Sequence, residues 1–321
     1  MREGSSPWAA RCGAGSSRHY GGYVKVDTIA RELLFTTVRL TNFAVTGVPT
    51  SVGTGFIVNA SRDPQVQMLV VVTNKHVVAG ASAVRVDLIA RDPAEDQPLL
   101  GQSAAVTFGE VPKHVQGHPH PDVDVAVFSF NALLPHCPRP PFYRGLPHNI
   151  FPEAEDLESF DAIEEVTFIG YPNGHNDAAH GTPIVRQGIT ATPLELPFEG
   201  LPQFLVDGSV FGGSSGSPVF IYNNGMYRTG PGMVTAGTRV RLIGVLAATT
   251  HRETLLPVLT AVQGPHVRIA QELNLGIAFN WSAVEETIDA WCSARGLDRD
   301  QPVGPVESAT TIDLESSEQG A

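Results

Sequence analysis

Apolar residues in this chain come in short runs, and most runs break off at glycine, proline, asparagine or aspartate. Between positions 33 and 130 the runs are LLFTTVRLTNFAV, GTGFIV, MLVVVTN, AVRVDLIA, AAVTFGEV and VDVAVFSF. Each suits a strand of about four to eight residues, rich in β-branched and aromatic side chains and bounded by turn residues. A polar, proline-rich bridge covers 133–159. A second set follows: EEVTFIGYP, TPIVRQGITAT, FLVDGSV, SPVFIY, RLIGVLAATT and LGIAFNW. Six strands, a linker and six more strands predict an all-β body of two small barrels of similar size, about 34–132 and 160–280. The body closes with a helix over 282–295, where SAVEETIDAWCSARG has apolar residues at Val284, Ile288 and Trp291. Ser282 is the expected N-cap, with Glu285 three residues on as in a capping box.

Composition agrees with this reading and removes others. The 321 residues include 32 glycines and 25 prolines, with 42% hydrophobic and 17% charged residues. That is enough apolar material for a sizeable core divided into roughly two units. It is poor material for coiled coils or helical repeats. The net charge is −12, from 21 basic and 33 acidic side chains. No basic stripe is present to displace counterions from phosphate, so nucleic acid and anionic membrane surfaces are not expected partners.

Three cysteines, Cys12, Cys137 and Cys292, form no close pair and tilt toward a reducing compartment. The amino terminus lacks the apolar core of a secretory signal, and the longest apolar stretches, Met68–Val72 and Leu242–Ala248, are too short to span a bilayer. The cytoplasm is therefore the default location. Residues 1–26 are expected to be a flexible Gly/Ser-rich segment, 27–296 a single functional domain, and 297–321 a solvated acidic tail.

FGGSSGSPVF (211–220) is the segment richest in chemistry. Gly213 and Gly216 flank Ser215 and open backbone conformations closed to residues with a Cβ. The amides of Gly213 and Ser215 can then converge on one point as an oxyanion hole. A serine hydroxyl needs a base, and His76 in TNKHVV stands where an apolar strand delivers it to a short helical turn. The imidazole in turn needs an orienting acid. Asp124 in PDVDVAVFSF directly abuts a buried run and is favoured. Asp122, two residues earlier on the same face of an extended segment, is the rival.

TNKHVV, DVAVF and GSSGSP, in the order His, Asp, Ser, resemble the triad motifs of the trypsin-like serine peptidases. GTGFIV, VTFIGYPNG, LIGVLAATT and the closing LGIAFNW also resemble segments of that family, so the likeness runs from about Leu34 to Trp291. It implies a pair of six-stranded antiparallel β-barrels with the site in the cleft between them. Ser215 would be the nucleophile, His76 the general base and then acid, Asp124 the orienting acid, and the amides of Gly213 and Ser215 the oxyanion donors. The implied activity is serine endopeptidase, acting on a protein or peptide without cofactor or metal. The alternative is a catalytically silent module that uses the fold for binding or regulation. A regulatory partner that gates activity is a further expectation.

Departures from the digestive branch of the family point to a subgroup. Ser214 stands where that branch has an acidic residue, and Val77 where secreted relatives carry a half-cystine. Both fit the bacterial, disulfide-free branch with HtrA-type and glutamyl-type peptidases. The second barrel and helix are expected to use most residues after Ser215, leaving no room for a PDZ domain. The family places the primary pocket near Ser209, with Ala247, Ala248 and Thr249 along one wall, and none of these is the acid that basic side chains require. The cluster His114, His118, His120 and Asp122 is expected to be a polar hairpin loop rather than a metal site, because Pro119 and Pro121 break regular ligand spacing.

Overall fold

The computed structural model describes residues 24–300 except 175, 209–212, 231 and 258–265. The side chains of 173, 248–257 and 266–273 are likewise outside the described part. The expected amino-terminal segment 1–23 and the tail beyond 300 also lie outside it.

A short helix, α1 (Ile29–Leu33), is capped by the Thr28 side chain and leads into the first half. Nine strands follow: β1 (Thr37–Phe43), β2 (Pro49–Asn59), β3 (Leu69–Thr73), β4 (Ala83–Asp87), β5 (Ile89–Asp92), β6 (Gln97–Ser103), β7 (Val106–Gly109), β8 (Gln116–Gly117) and β9 (Ala126–Ser129). Seven of them pair antiparallel in the order β7-β4-β1-β2-β3-β9-β8. A small second sheet sets β5 between β6 and β10 (Pro141–Phe142). The second half is a closed six-stranded barrel. Its strands are β11 (Glu165–Gly170), β12 (Ile184–Thr190), β13 (Gln203–Asp207), β14 (Pro218–Gly230), β15 (Met233–Pro257) and β16 (His266–Asn280), in the order β11-β12-β13-β16-β15-β14. The all-β, double-barrel expectation holds, with one terminal helix across it, but six strands are found only in the second barrel; the first half has seven in one sheet and three in another.

Strand β3 shows why the apolar runs do not alternate. Leu69 and Val71 enter the core of the first half with Val38, Ile57 and Phe128. Val70 and Val72 face the other way, into a core shared with Phe220 and Val245 of the second half and with Ile288 and Trp291 of the terminal helix. A strand covered on both faces has no polar face to show. The second barrel has its own interior, centred on Phe168, Phe204, Val219 and Leu246.

Several boundaries differ from expectation. The run at 83–90 is two strands in different sheets, and the weakly patterned Gln97–Ser103 forms a strand by pairing with β5. The bridge 133–159 is not simply a solvated linker: Phe142, Leu146, Ile150 and Phe151 are buried, and Ala154–Ser159 forms a helix. The terminal helix spans Trp281–Ser293, and its N-cap is Asn280, not Ser282. The Asn280 carbonyl oxygen on the side chain accepts from the Ala283 amide and from the Ser282 hydroxyl. The tail does not leave the body at 297. Arg299 is buried, donating to the Ala60 carbonyl and pairing with Asp289.

Candidate active site

Register brings His76 and Asp124 together across 48 residues of sequence. Strands β3 and β9 are antiparallel neighbours with Thr73 opposite Ala126, so the residues just past the end of β3 meet those just before β9. Asn74 ends the strand and donates from its side chain to the Asp124 carbonyl at 2.6 Å. A single helical turn, Lys75–Val78, then presents His76. The Asp124 carboxylate is used twice by this one residue: Oδ1 accepts from the His76 backbone amide at 3.0 Å, and Oδ2 makes a short contact with His76 Nδ1. With its proton on Nδ1, the ring carries a lone pair on Nε2. Asp122 is exposed, and its amide donates to His120. Among the described residues it makes no hydrogen bond to His76.

The Ser215 turn is held across the boundary between the halves. Gly213 and Gly216 both have left-handed backbone, with φ of +81° and +87°. A Cβ on Gly216 would also lie 1.8 Å from the Thr54 carbonyl oxygen and 2.7 Å from the Thr73 hydroxyl, so only glycine fits. Thr54, in β2, uses all its polar groups here. Its amide donates to the Ser215 carbonyl at 2.8 Å and its hydroxyl to the Gly213 carbonyl at 3.1 Å. The same hydroxyl accepts from the Tyr171 amide at 3.0 Å, and the Thr54 carbonyl accepts from the Thr73 hydroxyl at 2.7 Å. On the other side, the Gly216 amide donates to the Leu246 carbonyl. The Ser215 hydroxyl donates to the Ala247 carbonyl at 2.8 Å.

Thr54 is the residue the sequence reading missed. Its signal was one polar side chain between Gly53 and Gly55 in an apolar strand. Gly53 is itself constrained, because a Cβ there would lie 2.5 Å from a Val77 methyl. This strand therefore touches both the turn that carries His76 and the turn that carries Ser215.

Of the expected pocket residues, Ala247 is buried beside Ser215, and Ala248 and Thr249 continue β15 with side chains outside the described part. Ser209 lies outside the described residues. The histidine-rich loop braces the site from outside. His118 is buried, its Nε2 lies 3.1 Å from the Glu286 carboxylate on the terminal helix, and its Nδ1 accepts from the His120 amide. Lys75 donates to the His120 carbonyl, and burial pushes its ammonium below the usual lysine range, against the pull of Asp124 and Asp122. Among the described residues no group of three His, Cys, Asp or Glu side chains is arranged to hold a metal ion.

A family model for the trypsin-like peptidase domain matches residues 53–226. Solved structures with a similar chain course include the active form of the Rv3671c protease from M. tuberculosis. It has 21% identity and a TM-score of 0.40, with 85% of each chain covered. A serine endoprotease from Yersinia pestis has 16% identity and a TM-score of 0.40, covering 83% of this chain and 68% of that one. No curated protein matches the chain by sequence. Among the described residues no helix is long and apolar enough to cross a membrane.

Proposed function

Given that the chain belongs to the trypsin-like peptidase family, we propose that it is a serine endopeptidase acting on protein or peptide substrates, with Ser215, His76 and Asp124 as its triad. The observation that carries this is the double engagement of Asp124 by His76 through ring and backbone, which holds the imidazole in one tautomer. In the reaction, the Ser215 hydroxyl leaves the Ala247 carbonyl and gives its proton to His76 Nε2 as Oγ attacks the scissile carbonyl carbon. The tetrahedral oxyanion is received by the amides of Gly213 and Ser215. His76 then protonates the leaving amine as the carbon–nitrogen bond breaks. Water, deprotonated by the same imidazole, releases the acyl group and restores Ser215. The scheme calls on no cofactor. Thr54 enters as a positioning residue: it fastens the carbonyls of Gly213 and Ser215, on either side of the peptide whose amide belongs to Ser215.

A catalytically silent binding module is the second reading, and it has one observation in its favour: the Ser215 hydroxyl rests on Ala247. One experiment separates the two readings. A fluorophosphonate probe should label Ser215 in the wild type, and Ser215→Ala should lose both label and cleavage of unfolded protein, by about 10⁶-fold in kcat. Equal cleavage by the variant, or label on another residue, would overturn the assignment. A wild type that neither labels nor cleaves would support the silent module.

A further inference from the structure

A second cavity lies between the halves, away from His76, Asp124 and Ser215. It holds about 210 Å³. Its floor is the outer face of β1 and β4, with Thr37, Arg39, Arg85 and Asp87. The segment 176–183 of the second half forms its roof. That roof is tied down where the Gly101 amide donates to the His180 carbonyl at 3.0 Å.

Charge is unbalanced in this cavity. Arg39 stands opposite Asp87 in the β1–β4 ladder, and Arg85 Nε already binds Asp87 Oδ1 at 2.7 Å. Two guanidinium groups thus flank one carboxylate, which is ion-paired to Arg85. Burial further pushes the Asp87 carboxyl up, against the pull of Arg85 and Arg39. Arg39 Nε is buried and has no hydrogen-bond partner. An arginine that lines a cavity and has a donor left unpaired is free of a fixed acid partner there, and its cavity-facing guanidinium can give an entering anion a charge-assisted hydrogen bond. The other acid near the roof, Asp177, is taken by His180. Apolar side chains also line the cavity: Leu34, Ile89 and the edge-to-face pair Phe35 and Phe142, the last with Arg144 over its ring.

We propose that this cavity is a ligand site for a carboxylate carried on an apolar body, such as the free carboxy terminus of a peptide ending in an apolar residue. Arg39 binds the carboxylate and the Phe35–Phe142 wall takes the apolar part. The cavity shares no residue with the Ser215 chemistry.

The test uses the full chain carrying Ser215→Ala, so that peptide is not consumed. A dye-labelled peptide ending in leucine is titrated by fluorescence anisotropy, once as the free acid and once as the amide, and octanoate is added as a competitor. The free acid is expected to bind at least about tenfold more tightly than the amide, and Arg39→Gln to remove at least about tenfold of that binding. Arg39→Lys should retain part of the affinity and Arg62→Gln all of it, which separates loss of the site from loss of fold. Peptide binding displaced by octanoate supports the site with a peptide terminus as ligand. Octanoate binding alone, read by titration calorimetry and sensitive to Arg39→Gln, supports it with a free acyl carboxylate. Equal affinity for acid and amide, binding indifferent to Arg39→Gln, or no binding of either probe would overturn it.

Discussion

In the first half, His76 and Asp124 meet through hydrogen bonds made entirely within that half, set by the β3–β9 register. In the second half, the Ser215 turn bonds to Leu246 and Ala247 of its own barrel and is fastened across the boundary by Thr54. The acid–base pair is a product of one sheet. The nucleophile's position is a product of two barrels docked together. The contrast teaches that catalytic chemistry and domain packing can be damaged separately here, and that the second route runs through backbone contacts.

Asp124→Asn attacks the pair alone and, after Ser215→Ala, carries the largest expected effect. Activity should fall about 10⁴-fold in kcat with stability nearly unchanged, because the amide cannot hold the productive tautomer. Asp122→Asn should leave kcat within about twofold, as befits an exposed side chain away from the ring. A reversed pattern in peptide hydrolysis would reassign the acid.

Gly216→Ala attacks the boundary instead. A methyl group at φ +87°, driven into the Thr54 carbonyl, must push the turn off β2. We expect a loss of roughly 3 kcal/mol or more in stability together with fluorophosphonate labelling. Unchanged thermal melting and labelling would show that the two halves are not clamped at this point.

The segment joining the halves has its own sensor of pH. Burial, aided by the nearby Arg299 and Arg62, lowers His148 from an ordinary 6.5 to about 4. The unfolded chain therefore binds a proton between those values that the folded chain refuses. Stability from this source is complete above about pH 6.5 and declines as pH falls toward about 4, by up to about 3 kcal/mol. Urea unfolding across this range should show the slope, and His148→Gln should flatten it. If the slope survives the substitution, another group is responsible.

Thr54→Val gives a milder effect than the substitutions at Asp124 and Gly216 and tests directly whether the boundary contact positions the nucleophile. It keeps the shape of the side chain and removes its two hydrogen bonds, at about 1–1.5 kcal/mol, so kcat should fall about tenfold with KM little changed. Thr54→Ser should restore it. A change confined to KM, or no rescue by serine, would mean that Thr54 does not position the turn.

Much of the site is legible in the sequence, because strand ends and turns leave local marks. An apolar run stopping at Asn74 marks where His76 emerges, and glycines at 213 and 216 mark a turn that no Cβ can enter. Thr54 was not legible, since a threonine in a strand says nothing about which carbonyls it meets. Gln97–Ser103 was missed for a related reason: its residues pair only because β5 offers an edge. Asn280 replaced Ser282 as the helix cap because the cap depends on where β16 stops pairing, which is set by its neighbour β13.

By itself, the sequence determined that the chain folds as short strands in two sets, with a serine turn in the second and a histidine and aspartate in the first. Periodicity, β-branching and turn residues act over a few neighbours, and they are written locally. Folding settles that Asp124 rather than Asp122 lies against His76, that the glycines of the Ser215 turn dock on Thr54, and that Arg39 and Arg85 of the first half flank the single carboxylate of Asp87. Those outcomes depend on sheet register and on the docking of distant surfaces, where a displacement of one residue turns a side chain to the opposite face.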